Sequence, residues 1–245
     1  MIEATDTRSE SAFDKRIKVI ACATVIEEML PLLPPHVAYQ VLDFGLHLHP
    51  DELRRTLQAA IDESSQVADT ILLGYGLCSR AVEGLRATAC TLVVPRVDDC
   101  IAIFLGSRAS YKQQASAEPG TYYLTKGWIE VGDSPFEEYK RLVARYGEQR
   151  AERMVRLALK NYTRLAFINT GEYDLERYRD YARRMSERFG LRYEEIAGSS
   201  ALVKKMIYGP WDDEFIVIPP GQVITYDHFV SLPPCNPSAL VGGSP

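Results

Sequence analysis

The stretch ADTILLGYGLCSRAVEGLRATACTLVVPRVDDCIAIFLGS, residues 68–107, decides the predicted fold. It contains two short apolar runs, at 70–73 and 91–94, and each is followed by a segment that we interpret as a helix. Strands that alternate with helices pair in parallel, so both predicted strands end at the same edge of one sheet. Because open parallel sheets bind ligands outside this carboxyl edge, we expect a functional site there.

The rest of the chain repeats this alternation of strands and helices. We therefore predict an α/β fold of two Rossmann-like, three-layer halves, with mainly parallel sheets that face each other across a cleft. A single continuous sheet is the competing interpretation. The predicted parts are a disordered leader at 1–15, an N-terminal half with a cysteine site at 16–110, an aromatic loop and linking helix at 111–160, a C-terminal half at 161–229 and a disordered tail at 230–245.

Composition excludes several classes of function. The 245 residues are 46% hydrophobic, which is enough for one large core or two small ones. The net charge of −5 is spread along the chain, which argues against binding to nucleic acid. No apolar run approaches the ~20 residues that span a bilayer, and the polar N-terminal residues do not resemble a secretory signal. We expect a cytoplasmic protein whose five cysteines are free or metal-bound.

Three cysteines follow three predicted strands. Cys22, Cys78 and Cys100 would converge at one sheet edge, where three thiolates suit zinc, or an iron–sulfur cluster with one position left open for a ligand. Alternatively, a helix N-terminus could lower the pKa of one thiol and make it a metal-free nucleophile, or the thiols could simply fill buried turns. Cys90 belongs to the opposite edge and Cys235 to the tail, and we expect both to be inert.

Charged residues surround the two later cysteines. Asp98 and Asp99 precede Cys100, and one of them would cap the following helix while the other accepts a hydrogen bond from a substrate. With Cys78 and Cys100, they are the candidate catalytic residues. Arg80 and Arg96 could bind a carboxylate or phosphate and lower the thiol pKa values, or they could form surface ion pairs.

Glycine-rich and aromatic segments supply candidate ligand contacts. Tyr75 lies in a Gly-Tyr-Gly turn that lets a ligand approach the main chain. The segment 111–131 has no helical periodicity, and we interpret it as a loop with a short extended piece, YYLT at 122–125, that could form a lid over the cysteine site. Trp128 would then exclude water, and Lys126 would pair with an anionic ligand or with the aspartates. The alternative is that these aromatic residues anchor the loop to the linking helix or form a homodimer contact.

The second half offers polar turns rather than nucleophiles. Each turn could bind a ligand, although helix capping is the simpler interpretation. The candidate ligand-binding residues of this half are Asn169, Thr170, Ser199 and Ser200. His47 and His49 could join a metal site, but a solvated loop is the expected environment for this pair.

Four motifs carry a resemblance to a known family. They are LGYGLCS at 73–79, PRVDDCIAIFLGS at 95–107, PGTYYLTKGWIE at 119–130 and GPWDDEFIVIPPG at 209–221. With them the chain resembles the family catalogued as domain of unknown function 1638, over about residues 16–226. The resemblance implies an association with corrinoid-dependent methyltransferase systems that demethylate methylamines or betaines, and it implies no particular reaction.

Three hypotheses about function follow. The first is a metal- or cluster-binding protein that uses Cys22, Cys78 and Cys100, as an enzyme or accessory factor that works with corrinoid methyltransferase proteins in one-carbon metabolism. The second is a metal-free cysteine enzyme that acts on a small anionic substrate. The third is a binding module whose cleft holds a small molecule or a corrinoid.

Overall fold

The structure is a computed structural model that describes residues 16–78, 80–131, 134–171 and 174–230. Its strands are β1 (Ile17–Cys22), β2 (Ala38–Leu42), β3 (Thr70–Gly74), β4 (Thr91–Pro95), β5 (Thr121–Leu124), β6 (Arg164–Asn169), β7 (Arg192–Ala197) and β8 (Phe215–Ile218). Its α-helices are α1 (Ala23–Met29), α2 (Pro50–Ser64), α3 (Cys100–Phe104), α4 (Arg108–Ala117), α5 (Lys126–Val131), α6 (Pro135–Tyr146), α7 (Glu148–Ala158), α8 (Glu176–Phe189), α9 (Ala201–Tyr208) and α10 (Asp227–Val230). The predicted leader and residues 231–245 of the predicted tail lie outside the described residues.

The larger sheet has five strands in the order β2-β1-β3-β4-β8. Its first four strands are parallel, and β8 is antiparallel to β4. Every residue of β3 is buried, as are all but the first of β4, which is typical of parallel strands covered on both faces. Helix α2 buries Leu53, Leu57 and Ile61 along one face, as its periodicity predicts.

The smaller sheet has three parallel strands in the order β5-β6-β7. Its central strand, β6, buries its first five residues. Buried apolar side chains of both sheets belong to one core cluster. The prediction of a Rossmann-like α/β fold is confirmed, and the single continuous sheet is wrong. No helix in the described ranges is both long and apolar enough to cross a membrane.

Strand β8 corrects the predicted division of the chain. The sequence placed it in the C-terminal half at 161–229, whereas it pairs with β4 in the first sheet, from Leu92 opposite Ile218 to Pro95 opposite Phe215. An apolar run indicates that a strand forms, but it does not indicate which edge the strand joins.

The segment 111–131 corrects a second prediction. Its short extended piece is confirmed as β5, an edge strand of the smaller sheet, but the helices α4 and α5 cover most of the rest, where the prediction was a loop. Ser107 caps α4 by accepting a hydrogen bond from the Ser110 backbone N–H at 3.0 Å. Helix α4 has no buried residue, and this explains why the sequence shows no apolar periodicity there.

Candidate functional site

Three thiols lie at the carboxyl ends of three neighbouring strands. Cys22 ends β1, Cys78 follows β3, and Cys100 follows β4 as the first residue of α3. Strand β1 lies between β2 and β3, so the strand order reverses there, and such a switch point is where open α/β sheets bind ligands. The exposed fractions of the three residues are 1%, 8% and 7%.

Backbone contacts hold the Cys78 loop against the loop that leads to α3. The backbone N–H groups of Leu77 and Cys78 donate to the carbonyl oxygens of Val97 and Asp98 at 2.9 and 3.1 Å. A Cβ on Gly76 would lie 2.8 Å from the Val97 carbonyl oxygen, so only glycine permits this approach. The loops after β3 and β4 therefore stay together where both carry a thiol.

The backbone at Cys78 is strained. Its φ is +45°, and that of Arg80 is +68°, a left-handed conformation that residues with a Cβ rarely adopt. Residues 80–84 form turns, so the predicted helix after Cys78 is wrong. Strained residues of this kind concentrate at functional sites, where surrounding contacts hold them in place.

Burial determines the thiol chemistry. Desolvation raises the pKa values of Cys78 and Cys100, and the negative charges of Cys22 and Asp99 raise them further. Burial also raises the pKa of Cys22, although the Thr24 hydroxyl at 3.1 Å from its Sγ opposes this shift. The prediction that Cys78 and Cys100 are activated thiols is wrong, because their surroundings favour the neutral form.

Tyr75 and His47 extend the site. Burial and the charges of the three thiols raise the pKa of Tyr75, so its phenol lies within electrostatic reach of all of them. The His47 ring stacks on Tyr75 with centroids 5.8 Å apart, and burial lowers the pKa of His47. The Tyr75 hydroxyl and the His47 Nε2 are buried and have no hydrogen-bond partner among the described residues. The sequence analysis did not favour His47 over a solvated loop residue, because only the folded chain brings its ring to Tyr75.

An aromatic layer adjoins these residues. Phe44 contacts His47 and Trp128, with centroid distances of 5.0 and 6.0 Å, and Trp128 packs edge-on against Phe104 of α3 at 5.4 Å. Trp128 itself is 9% exposed. The predicted lid residue therefore belongs to a packed layer between α5 and the cysteine-bearing helix.

The two aspartates have different roles. Asp99 caps α3, because its Oδ1 accepts a hydrogen bond from the Ile101 backbone N–H at 2.9 Å. Asp98 forms an ion pair with Arg108 of α4 at 3.0 Å. Asp99 also lines a cavity of about 350 Å³ beside the aromatic layer.

The predicted cationic contacts lie elsewhere. Arg80 is exposed and pairs with Glu83 at 2.6 Å. Arg96 donates to a backbone carbonyl of β8. Lys126 pairs with Glu27 of α1 at 2.9 Å, and no ion pair joins it to the aspartates in the described ranges. Arginine therefore does not activate the thiols, because these side chains have acidic or carbonyl partners of their own.

The candidates of the second half mainly connect elements. Asn169 donates to a β7 carboxylate at 2.8 Å, and the Thr170 hydroxyl donates to Glu28 of α1 at 2.6 Å. The Ser199 N–H donates to the carbonyl of the last residue of α3 at 2.9 Å. Ser200 occupies the N-cap position of α9 without a side-chain capping bond. Thr170 and Ser199 thus connect the ends of strands in the smaller sheet to helices α1 and α3, which follow strands of the larger sheet.

The metal prediction remains a prediction. In the part of the chain that the structure describes, no three His, Cys, Asp or Glu side chains are arranged as a group that could hold a metal ion. Ionised Cys22 and Cys78 raise the pKa of Cys100, so the three sulfur atoms lie within electrostatic reach of one another. A metal would have to draw their sulfur atoms together.

Fold and site define a Rossmann-like α/β protein with a buried thiol cluster at its switch point. The chain belongs to the family described as Protein of unknown function (DUF1638), whose sequence model matches residues 41–207. The resemblance is confirmed over a shorter stretch than 16–226, so Cys22 and the motif at 209–221 lie outside the match. No curated protein matches the chain.

Proposed function

We propose that the chain binds a thiophilic metal ion or an iron–sulfur cluster through Cys22, Cys78 and Cys100. In this proposal, it serves in the cytoplasm as an enzyme or accessory factor of corrinoid-dependent methyl transfer. One observation carries the proposal. The three buried thiols lie at the carboxyl ends of three adjacent parallel strands, at the switch point of the sheet.

The chemistry of the thiols supports a cationic guest. Thiolates are the preferred protein ligands of zinc and of iron–sulfur clusters. Burial raises the pKa values of all three cysteines, and a bound cation would reverse this shift because it replaces the lost hydration. Binding would therefore release protons and order the thiols at the same time.

Two further polar groups support a polar occupant of this neighbourhood. The Tyr75 hydroxyl and the His47 Nε2 are buried without hydrogen-bond partners among the described residues. Buried polar atoms of this kind are uncommon in native proteins, since each one costs free energy. Both would lie beside the proposed metal, where they could contact its additional ligands.

A metal-free nucleophile is the weaker proposal. It needs a thiolate at neutral pH, whereas burial raises the pKa values of Cys78 and Cys100. Neither Arg80 nor Arg96 compensates for this effect, because both have other partners. The role in methyl transfer rests on the family resemblance alone, and partnership with corrinoid methyltransferase proteins is proposed on the same ground.

The test is the metal content of protein purified without oxygen. We expect stoichiometric zinc, or iron and sulfide with a brown chromophore, in the wild-type protein. The variants Cys22→Ser, Cys78→Ser and Cys100→Ser should each lose it, because each removes one thiolate ligand.

Cys90→Ser is the matched control. Cys90 is also buried, at 1% exposure, but it precedes β4 and therefore lies at the opposite edge of the sheet. Its substitution should leave the metal content unchanged. Metal-free wild-type protein that also fails to take up zinc or to accept a reconstituted cluster would overturn the proposal, as would equal losses in the control and the three variants.

A further inference from the structure

A cavity of about 350 Å³ is lined in part by Asp99, the residue that precedes Cys100. Asp99 and Ile101 line one side of this cavity, and α4, the edge strand β5 and α5 contribute most of the rest. Its aromatic lining residues are Tyr111, Tyr122, Tyr123, Trp128 and Tyr162. Several of these rings contact one another, with centroid distances of 6.3 Å for Tyr111 and Tyr123 and 5.4 Å for Tyr122 and Tyr162.

The charges of the lining are all negative. Asp99 and Glu118 are its charged residues, and neither lysine nor arginine lines the cavity. Glu118 already pairs with Arg192 at 2.6 Å. Asp99 accepts hydrogen bonds from the main chain of α3 and from the Tyr111 side chain, and no basic side chain of the described residues pairs with it. A positively charged ligand would provide the counter-charge that these neutral donors do not supply.

Aromatic rings and a carboxylate together select a particular class of cation. Ring faces attract cations, and they favour alkylated ammonium groups, whose methyl groups also lose contact with water. A cavity of about 350 Å³ lies near the lower end of the ~300–1,000 Å³ range for ligand pockets, so the ligand is small. We propose that this cavity binds a small alkylated ammonium cation, with Asp99 as its counter-charge.

The lining argues against an anionic ligand in this cavity. Lys126, the residue expected to bind it, does not line the cavity and pairs with Glu27 at 2.9 Å. An anion in the cavity would instead meet Asp99 and Glu118, and the Coulomb repulsion would be strengthened by partial burial.

The cavity adjoins the thiol site without sharing its ligands. Asp99 precedes Cys100 in the chain, and Trp128 contributes both to the cavity and to the aromatic layer on α3. A bound cation would therefore lie beside Cys100. None of the three cysteines lines the cavity, so the inference does not depend on the proposed metal.

The test titrates metal-free protein with tetramethylammonium chloride and follows the fluorescence of Trp128. Trp211→Phe removes the second of the two tryptophans. We expect a saturable change for tetramethylammonium and a much weaker one for tert-butanol, which has a similar shape but no charge. Sodium chloride keeps the ionic strength constant. Because no metal is present, failure of the metal proposal would not affect this result.

Asp99→Asn removes the counter-charge but keeps a side chain that caps helices well. We expect at least a tenfold weaker affinity. Tyr162→Ala changes a ring that is 37% exposed, so the fold should tolerate it, and we expect an affinity ~2–5-fold lower, as for one exposed cation–π contact. Tyr39→Ala, at an exposed position on β2, should leave the affinity unchanged. Equal binding of tert-butanol, or unchanged affinity in both cavity variants, would overturn the inference.

Discussion

Cys100 is the first residue of a helix, yet the pKa of its thiol is raised. Helix α3 has only five residues, and its capping carboxylate, Asp99, is close enough to raise the thiol pKa. Removal of water from the sulfur is the largest effect. At this scale, the surroundings of a cysteine decide its chemistry more than its position at a helix terminus.

Slow alkylation is the prediction that follows for Cys78 and Cys100. In metal-free protein at neutral pH, both should react with iodoacetamide at least ~10-fold more slowly than N-acetylcysteine, since each unit of raised pKa lowers the thiolate fraction about tenfold. Because burial raises the pKa values of both thiols above the ordinary value of 9.0, their rates of alkylation should still increase above that pH. Mass spectrometry of the labelled peptides measures this, and faster reaction than the free thiol would contradict it.

The sequence predicted part of the site at this scale. The positions of Cys22, Cys78 and Cys100 after strands could be predicted, because alternating strands and helices fix the edge at which parallel strands end. The stacking of His47 on Tyr75 could not, since it depends on how a short turn before α2 meets a loop after β3. Contacts between loops have no sequence periodicity.

Helix termini were the most predictable elements. Ser134 caps α6 by accepting a hydrogen bond from the Glu137 N–H, and Gly190 ends α8 in the left-handed conformation. Serine and glycine are the residue types that favour these two positions. Helix α4 was missed because none of its residues is buried, so it lacks an apolar stripe. Local capping chemistry can be recognised in a sequence, whereas an exposed helix gives little signal.

Gly190→Ala tests the α8 terminus. The φ of Gly190 is +73°, where a Cβ costs roughly 1–2 kcal/mol, while the open surroundings add no steric clash. We expect the free energy of unfolding to fall by about 1 kcal/mol in urea titrations. Glu187→Ala, at an exposed position in the same helix, should change it by less than ~0.5 kcal/mol. An unchanged free energy of unfolding in Gly190→Ala would contradict this expectation and show that the helix terminus relaxes to accommodate the Cβ.

An ion pair that joins α8 to β7 makes stability depend on pH. Arg179 donates to both carboxylate oxygens of Glu195 at 2.7 and 2.8 Å, and Asn169 of β6 donates to one of them. The hydrogen bonds from Arg179 lower the pKa of the Glu195 carboxyl below its ordinary value of 4.5. A lowered folded-state pKa means that the contribution is present above pH 4.5 and is lost as the pH falls below it.

Glu195→Gln should therefore lower the free energy of unfolding by about 1–2 kcal/mol at neutral pH, and by progressively less under acidic conditions. Urea titrations of both proteins across this pH range measure the difference. Asp180→Asn removes a longer, more exposed pair with Arg183 in the same helix, and it should change stability little at any pH. A Glu195→Gln cost that does not shrink with falling pH would contradict the argument.

The whole molecule shows which parts of the architecture a sequence leaves undetermined. The prediction of two sheets is confirmed. It could be made from the sequence because each run of strands and helices has apolar positions of its own. The partner of β8 was not predictable, since the antiparallel pairing with β4 joins residues more than one hundred positions apart. The final strand thus returns to the first sheet after the chain has completed the second.

Close backbone contact between α5 and α1 links the surroundings of the second sheet to the thiol site. A Cβ on Gly127 would lie 2.4 Å from the Thr24 carbonyl oxygen, so the two helices meet where only glycine fits. Thr24 lies in turn 3.1 Å from the Cys22 sulfur through its hydroxyl. A displacement of α5 should therefore change the surroundings of the Cys22 thiol.

Gly127→Ala tests this link. Overpacking against a backbone atom costs ~1–3 kcal/mol, whereas alanine in place of a helical glycine gains ~0.5–1 kcal/mol, so the steric effect dominates. We expect the free energy of unfolding to fall by about 1–2 kcal/mol in Gly127→Ala, together with faster alkylation of Cys22 in metal-free protein. Gly190→Ala, with a similar loss of stability far from the thiols, separates the two effects: if it accelerates alkylation of Cys22 equally, global destabilisation explains the change and the α1–α5 contact does not.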